Sequence, residues 1–416
     1  MNRGAWRAVN PTGFSALAVS SFGSVLLGLL TLCASLGAQE QPQSMADRPP
    51  GEFVDVQPEM FILPSREVVE QAMAGGVAYL IDNQNEDGSW GGPGKPADGF
   101  WSNPYTHQAW TVGTTALSLI CLLESPRDPP CQAATVRALR FLLEHPPLQR
   151  PSDWDVDNTW GDIYATQALA TALAHEEYDQ GDWAASLKAK ITEHIGSLAK
   201  TQAADGGWGY YDLETRTARP SWSTSFMTAA AILGLLDARQ LGVDVHDGML
   251  ARAVAALERC RLPTGAYTYS VTLFPSPGRL TGINQLKGSL SRMQVGNLAL
   301  FRAGSPMVGE EQLLSGLDSF FRDHRFLDVA RQKPVPHEAY YQNSGYFYFF
   351  GHYYAAQVLE LLEPAEQLRY RSRLAREVVK TRESDGSMWD FYLHSYHKPY
   401  GTAFGVMALR RTVGRE

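Results

Sequence analysis

The stretch Gln202-Ala-Ala-Asp-Gly-Gly-Trp208 decides the fold of this 416-residue chain, because it occurs more than once. An earlier copy, Gln84-Asn-Glu-Asp-Gly-Ser-Trp90, keeps the spacing of Gln, three residues, Gly, one residue and Trp. A leucine precedes each Gln by four positions, and two weaker copies follow at Arg261–Tyr267 and Ser384–Trp389, the latter with one residue inserted. A unit that recurs in this way indicates a repeat architecture.

The residues of this unit have structural roles. A Gln at the end of a helix can bond to the free carbonyls of the last turn or of a neighbouring helix. Asp-Gly forms a tight turn, and Trp covers the corner with a large apolar face while its N–H finds an acceptor. The unit therefore predicts helix-to-helix corners with Trp90 and Trp208 packed at equivalent places, and it points to packing rather than to catalysis.

The rest of the chain alternates between two kinds of helical segment. Amphipathic segments, which belong on the outside of a fold, begin near Ser65, Gln132, Asp182, His246, Gly309 and Pro364. Flatter and nearly uncharged segments, which belong inside, begin near His107, Asn158, Trp222, Gly288, Tyr346 and Tyr400. Six of each kind in alternation predict an all-α fold, a closed (α/α)6 toroid over residues 65–416 with essentially no sheet.

The N-terminus has the pattern of a targeting segment. Arg3 and Arg7 form a basic start, and no charged residue occurs from Ala8 to Gln39. Residues 1–38 are therefore predicted to be a signal peptide with a cut after Ala38, or a membrane anchor if the cut does not occur. Residues 39–64 read as a linker, and the mature chain is expected to be exported, either free in the periplasm or outside the cell, or held at the membrane.

The composition of the chain argues against some classes of binding partner. A net charge of −8 without basic runs argues against a nucleic acid or an anionic membrane surface, and 44% apolar residues supply a large core. Three cysteines remain after the signal, which permits one bridge, with Cys121–Cys131 as the candidate, and one free thiol. No zinc-type Cys pair is present, and no cofactor is expected.

The alternation of inner and outer helices, with Gln-x-x-x-Gly-x-Trp corners, resembles the α/α-toroid superfamily of squalene and terpenoid cyclases and protein prenyltransferase β subunits. The resemblance covers Ser65 to the C-terminus. It implies a cavity at the mouth where the inner helices begin. Aromatic residues are dense in the loops expected at that mouth, and the candidates for binding a small isoprenoid-like ligand are Trp101, Tyr105, Trp160, Tyr211, Trp222, Tyr267, Tyr346 and Trp389.

A polar cluster begins the second inner segment. Asp155-Val-Asp157-Asn158-Thr159 looks like the Asp-x-Asp-Asp-Thr motif of class II terpenoid cyclases, in which the middle Asp, here Asp157, protonates an alkene or an epoxide. Crowding with Asp155 would keep one carboxyl protonated. Asn158 replaces the last Asp of the motif, which removes a charge that would hold that proton. The alternative is that these residues cap the helix.

Other readings of the same chain remain open. The Asp-x-Cys zinc pair of the prenyltransferases is missing, and His394, His397 and Asp390 form a weak metal signal. A non-catalytic exported binding or scaffold protein would keep the same ring and pocket. A glycan-processing α/α barrel would need two carboxylates across the cavity, such as Asp157 facing Asp212 or Asp390.

Overall fold

The computed structural model describes residues 63–93, 104–147, 158–209, 220, 222–271 and 282–413, all of which belong to one compact unit, Ile62–Glu416. These residues form thirteen α-helices and no strand, with only isolated bridges near the corners, such as Trp208 to Thr224. The prediction of an all-α fold is confirmed. None of the described helices combines the length and apolarity that crossing a bilayer requires.

The helices fall into an outer and an inner set. The outer helices are α1 (Arg66–Asp82), α3 (Pro129–Glu144), α5 (Gly181–Thr201), α7 (Asp247–Cys260), α9 (Glu310–Arg322) and α12 (Pro364–Val379). The inner helices are α2 (Pro104–Leu123), α4 (Asn158–Leu173), α6 (Ser225–Gln240), α8 (Leu290–Arg302), α11 (Phe347–Leu359) and α13 (His397–Arg410). A short helix, α10 (Arg325–Ala330), and three single-turn 3₁₀ helices lie in the described parts of the connections.

Burial follows from the two sequence patterns. In the outer helix α1 only a stripe is buried, namely Val69, Ala72, Gly76 and Leu80, whose spacing of three or four residues places them on one face. In the inner helix α6 every residue from Ser225 to Leu235 is buried. A helix of small, uncharged residues can therefore lie in the inner ring, where it is packed against neighbours on all sides.

The inner helices form a closed ring. Each contacts the next in the order α2, α4, α6, α8, α11, α13, and α13 returns to α2. Each outer helix packs against the inner helix that precedes it, so that α1 packs against α13. The predicted (α/α)6 toroid is thereby confirmed, and both ends of the ring meet at the same seam.

Two corners repeat the same hydrogen bonds. Trp90 Nε1 donates to the Leu80 carbonyl at 2.7 Å, and Trp208 Nε1 donates to the Leu198 carbonyl at 2.8 Å. Gln202 Nε2 donates to the carbonyls of Gly206 in its own turn, at 2.8 Å, and of Met249 in the next outer helix, at 2.9 Å. Gln84 repeats this arrangement. The Gln therefore links consecutive outer helices, as the corner chemistry predicts.

The fourth corner differs from its prediction. Met388, not Trp389, takes the place of the corner tryptophans, because the Met388 N–H donates to Thr402 Oγ1 at 2.9 Å just as the Trp208 N–H donates to Thr228 Oγ1 at 3.0 Å. The turn contains no inserted residue, and Met388 is fully buried. A flexible apolar side chain can fill this position. Aligning Trp389 with the corner tryptophans therefore placed the fourth copy out of register by one residue.

The cysteines are not paired. Cys121, Cys131 and Cys260 are all free and buried, so the candidate Cys121–Cys131 bridge is wrong. Cys131 Sγ instead donates to the Leu122 carbonyl at 3.6 Å. The spacing of ten residues permits a bridge, but the thiols pack as small apolar groups.

Candidate functional site

A cavity of about 370 Å³ lies inside the ring of inner helices. Five of the six inner helices contribute to it, together with the loops that precede α11 and α13. Aromatic rings form most of its wall, and none of the described lining residues carries an ammonium, guanidinium or carboxylate group. The described lining residues are Ala109, Trp110, Gly113, Thr114, Leu117, Trp160, Tyr164, Phe226, Pro336, His337, Tyr346, Phe347, Phe350, Phe391, Leu393, Tyr400 and Phe404.

The aromatic wall is built from pairs on the inner helices. Trp160 and Tyr164, one turn apart on α4, stack with their ring centroids 5.2 Å apart and their planes within 7°. Phe350 meets Phe226 and Phe404 edge to face, at 6.2 Å and 6.5 Å. Residues separated by three or four positions share one face of a helix, so each inner helix can present two rings to the axis. Such a wall offers both ring faces and ring edges to a ligand.

His337 supplies a polar group at this wall. Its backbone has a φ of 65°, an uncommon conformation for a residue with a side chain. Its Nδ1 lies 2.8 Å from the Gln342 carbonyl and its Nε2 lies 3.0 Å from the Tyr346 hydroxyl. Burial is the main cause that lowers the pKa of His337 below its usual value. The neutral ring therefore donates through Nδ1 and accepts the Tyr346 proton at Nε2.

A second polar group is the hydroxyl of Tyr400. It donates to Asp390 Oδ1 at 2.7 Å. Asp390 is fully buried and does not line the cavity, and its Oδ2 accepts the Phe349 N–H at 2.9 Å. Burial raises the pKa of Asp390 to about 6, although these hydrogen bonds oppose the shift. The carboxyl thus lies behind the wall, with Tyr400 between it and the cavity.

The predicted binding residues have different places. Trp160 and Tyr346 line the cavity. Tyr267, Trp222 and Trp389 do not: their polar atoms bond to Asn297 Oδ1 at 2.9 Å, to Ser270 Oγ at 3.0 Å and to Glu383 Oε1 at 3.1 Å, respectively. Tyr267 is fully buried at the third corner, where it replaces the tryptophan of the other copies. Its corner position, visible in the repeat, was the signal that it packs rather than binds.

The remaining predicted residues are either outside the described residues or described by their backbone alone. Trp101, Tyr211, Asp155 and Asp157 lie outside the described residues, as does Asp212 of the glycan alternative. Tyr105 and Asn158 are described only as backbone positions at the starts of α2 and α4. The neighbouring Thr159 is buried, and its hydroxyl donates to the Gly209 carbonyl at 3.1 Å.

Sequence reasoning missed several cavity residues on the inner helices. Phe226, Phe347, Phe350, Tyr164, Trp110 and Phe404 were not among the candidates, although all line the cavity. The signal was available in the spacing, because Phe347 with Phe350, Trp160 with Tyr164, and Tyr400 with Phe404 are pairs three or four positions apart at the beginning of inner helices.

The weak metal signal near the last helix has another explanation. The Asp390 carboxyl is bonded to Phe349 and Tyr400, and His397 Nδ1 lies 2.5 Å from the His394 carbonyl. A separate group of His324, Asp328 and Glu377 lies between α10 and α12, with its ligand atoms within 4.8 Å of one another. Its carboxylates already form ion pairs with a lysine: Lys380 Nζ is 2.6 Å from Asp328 Oδ1 and also contacts Glu377.

No protein-family model and no curated protein sequence matches this chain. Solved structures of very different sequence share its architecture. Cellobiose 2-epimerase from Spirochaeta thermophila superposes with a TM-score of 0.51 at 13% identity, covering 83% of this chain and 98% of that one. A possible member of the GH105 family from Klebsiella pneumoniae superposes with a TM-score of 0.50 at 12% identity, covering 91% of this chain and 98% of that one.

A variant of the type II terpene cyclase MstE from Scytonema, in complex with its substrate geranylgeranyl dihydroxybenzoate, gives a TM-score of 0.49 at 13% identity, covering 83% and 97%. At such identities the likeness to the first two structures establishes the α/α-toroid fold and nothing about activity.

Proposed function

We propose that this toroid binds an isoprenoid-like apolar ligand in its central cavity. The observation that carries the proposal is the wall itself: aromatic rings dominate it, and no described lining residue is charged. The volume of about 370 Å³ falls within the roughly 300–1,000 Å³ of small-molecule sites. A site for a glycan would instead present many hydrogen-bonding side chains, so the cavity favours the apolar class of ligand.

We further propose that the bound ligand is cyclised by protonation, with Asp157 as the acid. The proposal is supported by the resemblance of Asp155–Thr159 to the cyclase motif at the start of α4, the helix that also supplies Trp160 and Tyr164 to the cavity. Protonation would break the Asp157 O–H bond and an alkene π bond, form a new C–H bond and leave a carbocation that the rings stabilise. Loss of a proton after ring closure would then give a neutral product of unchanged mass. Asn158, in place of a carboxylate, favours the second candidate, a protein that binds the ligand without turning it over.

Ligand binding tests the first proposal. Trp110 and Trp160 line the cavity, so tryptophan fluorescence should change when farnesol or geranylgeraniol binds. A Gly113→Leu variant fills the cavity, because a Cβ at Gly113 meets only the Trp160 backbone, at 3.9 Å. We expect this variant to bind about tenfold more weakly or worse, since the added side chain takes ligand volume.

Gly196 provides the matched control. It lies on the exposed face of the outer helix α5, and a Cβ there meets nothing within 4 Å. Gly196→Leu changes helix propensity in the same way, by up to about 1 kcal/mol in favour of the helix, without touching the cavity. If neither alcohol binds the wild-type protein, or if both variants bind as well as wild type, the apolar-ligand proposal fails.

Product analysis separates the cyclase from the binder. Linear C15 to C30 isoprenoids are incubated with the wild-type protein and with Asp157→Asn, and the extracts are analysed by gas chromatography and mass spectrometry. A cyclase yields new products of unchanged mass with the wild type and none with the variant. Binding without products supports the non-catalytic alternative, and products that survive Asp157→Asn rule out Asp157 as the acid.

Export is also a proposal, supported by the basic start and the uncharged segment up to Gln39. N-terminal sequencing of protein purified from its own host should give a first residue near Gln39. Recovery of an intact Met1 in a membrane fraction would favour the anchor, and its recovery in the cytoplasm would refute export.

A further inference from the structure

A carboxyl group lies directly behind the aromatic wall. Asp390 has no exposed surface, yet its Oδ1 is 2.7 Å from the hydroxyl of Tyr400, which lines the cavity. Its Oδ2 accepts the N–H of Phe349, the third residue of α11. One hydrogen bond therefore connects a buried carboxyl to a residue of the cavity wall.

The neighbouring cation does not bind this carboxyl directly. Arg331 acts on Asp390 through space, but its Nη1 donates to the Trp389 carbonyl at 3.2 Å. The Arg331 guanidinium lies 5.9 Å from the centre of the Tyr348 ring. The groups in contact with Asp390 are thus N–H and O–H donors, which stabilise its negative charge without cancelling it.

The direction of the Tyr400 hydrogen bond sets what the wall can recognise. A tyrosine hydroxyl has one proton, and two acceptors share it: Asp390 Oδ1 at 2.7 Å and the Phe391 carbonyl at 3.2 Å. The oxygen has no second proton to offer, so a ligand group that touches it must be a donor or a cation. The carboxylate behind the phenol makes that oxygen more negative.

The surrounding rings favour the same sign of charge. Tyr400 and Phe404 meet at 6.4 Å, and Phe404 contacts Phe350 across the cavity wall. Ring faces attract cations through their quadrupoles. The hydroxyl oxygen and the aromatic faces near Tyr400 therefore act in one direction.

We propose that the Tyr400–Asp390 pair makes this wall a recognition site for positive charge on an apolar ligand, such as a quaternary ammonium on an isoprenoid chain. Tyr400 contacts the charged group, and Asp390 is a positioning residue that acts through Tyr400. The inference rests on the proposed function, because it concerns the same cavity.

Two probes of matched length test this proposal. One is a farnesyl trimethylammonium salt, which is charged at every pH, and the other is the neutral farnesyl methyl ether. Both are titrated below the concentration at which the salt forms micelles, with tryptophan fluorescence as the readout. We expect the wild-type protein to bind the cation about tenfold more tightly than the ether.

The variants assign that preference to the pair. Asp390→Asn removes the charge and keeps one acceptor oxygen, which can serve either the Phe349 N–H or the Tyr400 hydroxyl, so the ratio of the two dissociation constants should fall to near one. Tyr400→Phe should reduce the ratio as well. Asp247→Asn removes a carboxylate that is 95% exposed, and Tyr340→Phe alters a tyrosine that is 69% exposed, so both controls should keep the wild-type ratio.

Each result has a distinct meaning. A wild-type preference that survives Asp390→Asn overturns the proposal, because the rings alone then explain it. Equal binding of both probes by the wild type also overturns it, while leaving the proposed apolar site intact. If neither probe binds, the proposed function and this inference fail together. Circular dichroism and the unfolding midpoint confirm that each variant is folded, and Tyr400→Phe decides the matter if Asp390→Asn does not fold.

Discussion

The Nε2 atoms of His324 and His352 lie 2.9 Å apart, so one imidazole must donate a proton to the other. His352 Nδ1 lies 2.7 Å from the Tyr348 carbonyl, which can only accept, so this nitrogen carries a hydrogen and Nε2 of the neutral ring accepts. His324 therefore donates through Nε2. Its Nδ1 faces carboxylate oxygens of Asp328 at 3.0 Å and Glu377 at 3.3 Å, so it carries a hydrogen as well. His324 is thus a cation beside a neutral histidine.

This pair predicts a loss of stability in acid. Burial, reinforced by the charge on His324, lowers the pKa of His352 to about 3 from 6.5. As the pH falls below 6.5, the unfolded chain gains a proton that the folded chain does not, and this residue alone removes about 2 kcal/mol of stability between pH 7 and pH 5. His352→Gln should lose that dependence.

Urea unfolding at both pH values checks this prediction. The difference in unfolding free energy between the wild type and His352→Gln should shrink by about 2 kcal/mol from pH 7 to pH 5. Comparing the two proteins cancels the other titrating groups. A difference that does not change with pH would show that His352 is not held neutral.

Asp390 predicts a pH dependence of stability opposite to that of His352. Its pKa is raised by burial to about 6 from 3.8, so its contribution to stability is complete below pH 3.8 and is lost as the pH rises through 6. Between pH 5 and pH 8 the wild type should lose about 1 kcal/mol relative to Asp390→Asn. The same unfolding measurement applies, and a relative gain by the wild type over this range would contradict the buried-acid assignment.

The corner glycines allow a prediction with an internal control. Gly206 has a φ of 100°, and a Cβ there would lie 2.6 Å from the Arg252 carbonyl oxygen in α7. Gly265 occupies the equivalent turn position with a φ of 85°, but a Cβ there meets nothing within 4 Å. Gly265→Ala should cost about 1–2 kcal/mol of left-handed strain. Gly206→Ala should cost this amount plus the displacement of α7.

Chemical denaturation of the two alanine variants measures that difference. A larger loss for Gly206→Ala confirms that the corner and the next outer helix are in tight contact. Equal losses would mean that α7 shifts without an energetic cost. Backbone strain alone would then account for the stability lost in both variants.

The thiols can be counted directly. Burial raises the pKa of Cys121 in α2 and of Cys260 at the end of α7 to about 12. Cys131 in α3 is buried as well, and its pKa is also raised by burial. A disulfide-forming aromatic reagent at pH 8 should therefore react very slowly with the folded protein, since the thiolate is the reactive form. After the mature protein is unfolded in guanidinium without reductant, its three thiols should all react and release three equivalents of the aromatic thiolate per chain. One equivalent would restore the rejected Cys121–Cys131 bridge.

The sequence predicted the ring better than the cavity, for a physical reason. Corners depend on local chemistry, so Trp90 and Trp208 could be placed from the spacing of Asp-Gly turns, and the helices begin within a few residues of the expected positions. The fourth corner was misread because the position requires only an apolar side chain, and Met388 satisfies it as well as tryptophan does.

The cavity depends on which side of each inner helix faces the axis, and an inner helix is apolar on all sides. A flat apolar pattern therefore does not separate Phe226 of α6, which lines the cavity, from Phe349 of α11, which is fully buried and is not one of the described lining residues. The sequence favours aromatic residues in loops as binding candidates, because the loops are rich in them, whereas twelve of the seventeen described lining residues belong to the inner helices themselves. The sequence shows Asp390 as a polar residue near the last inner helix, but only the fold brings its carboxyl within 2.7 Å of the Tyr400 hydroxyl.

The seam at which the ring closes has a consequence for synthesis. Tyr396, at the start of α13, bonds to the His107 carbonyl of α2, although the two residues are 289 positions apart. At the other end of the same helix pair, Arg411 contacts Glu124 at 2.7 Å. The surface of α2 that contacts α13 therefore stays exposed on the nascent chain until the ribosome has made α13, because contacts this distant in sequence form late. The protein should consequently depend on a holding chaperone during translation more than a chain of equal length whose hairpins pack only on their neighbours.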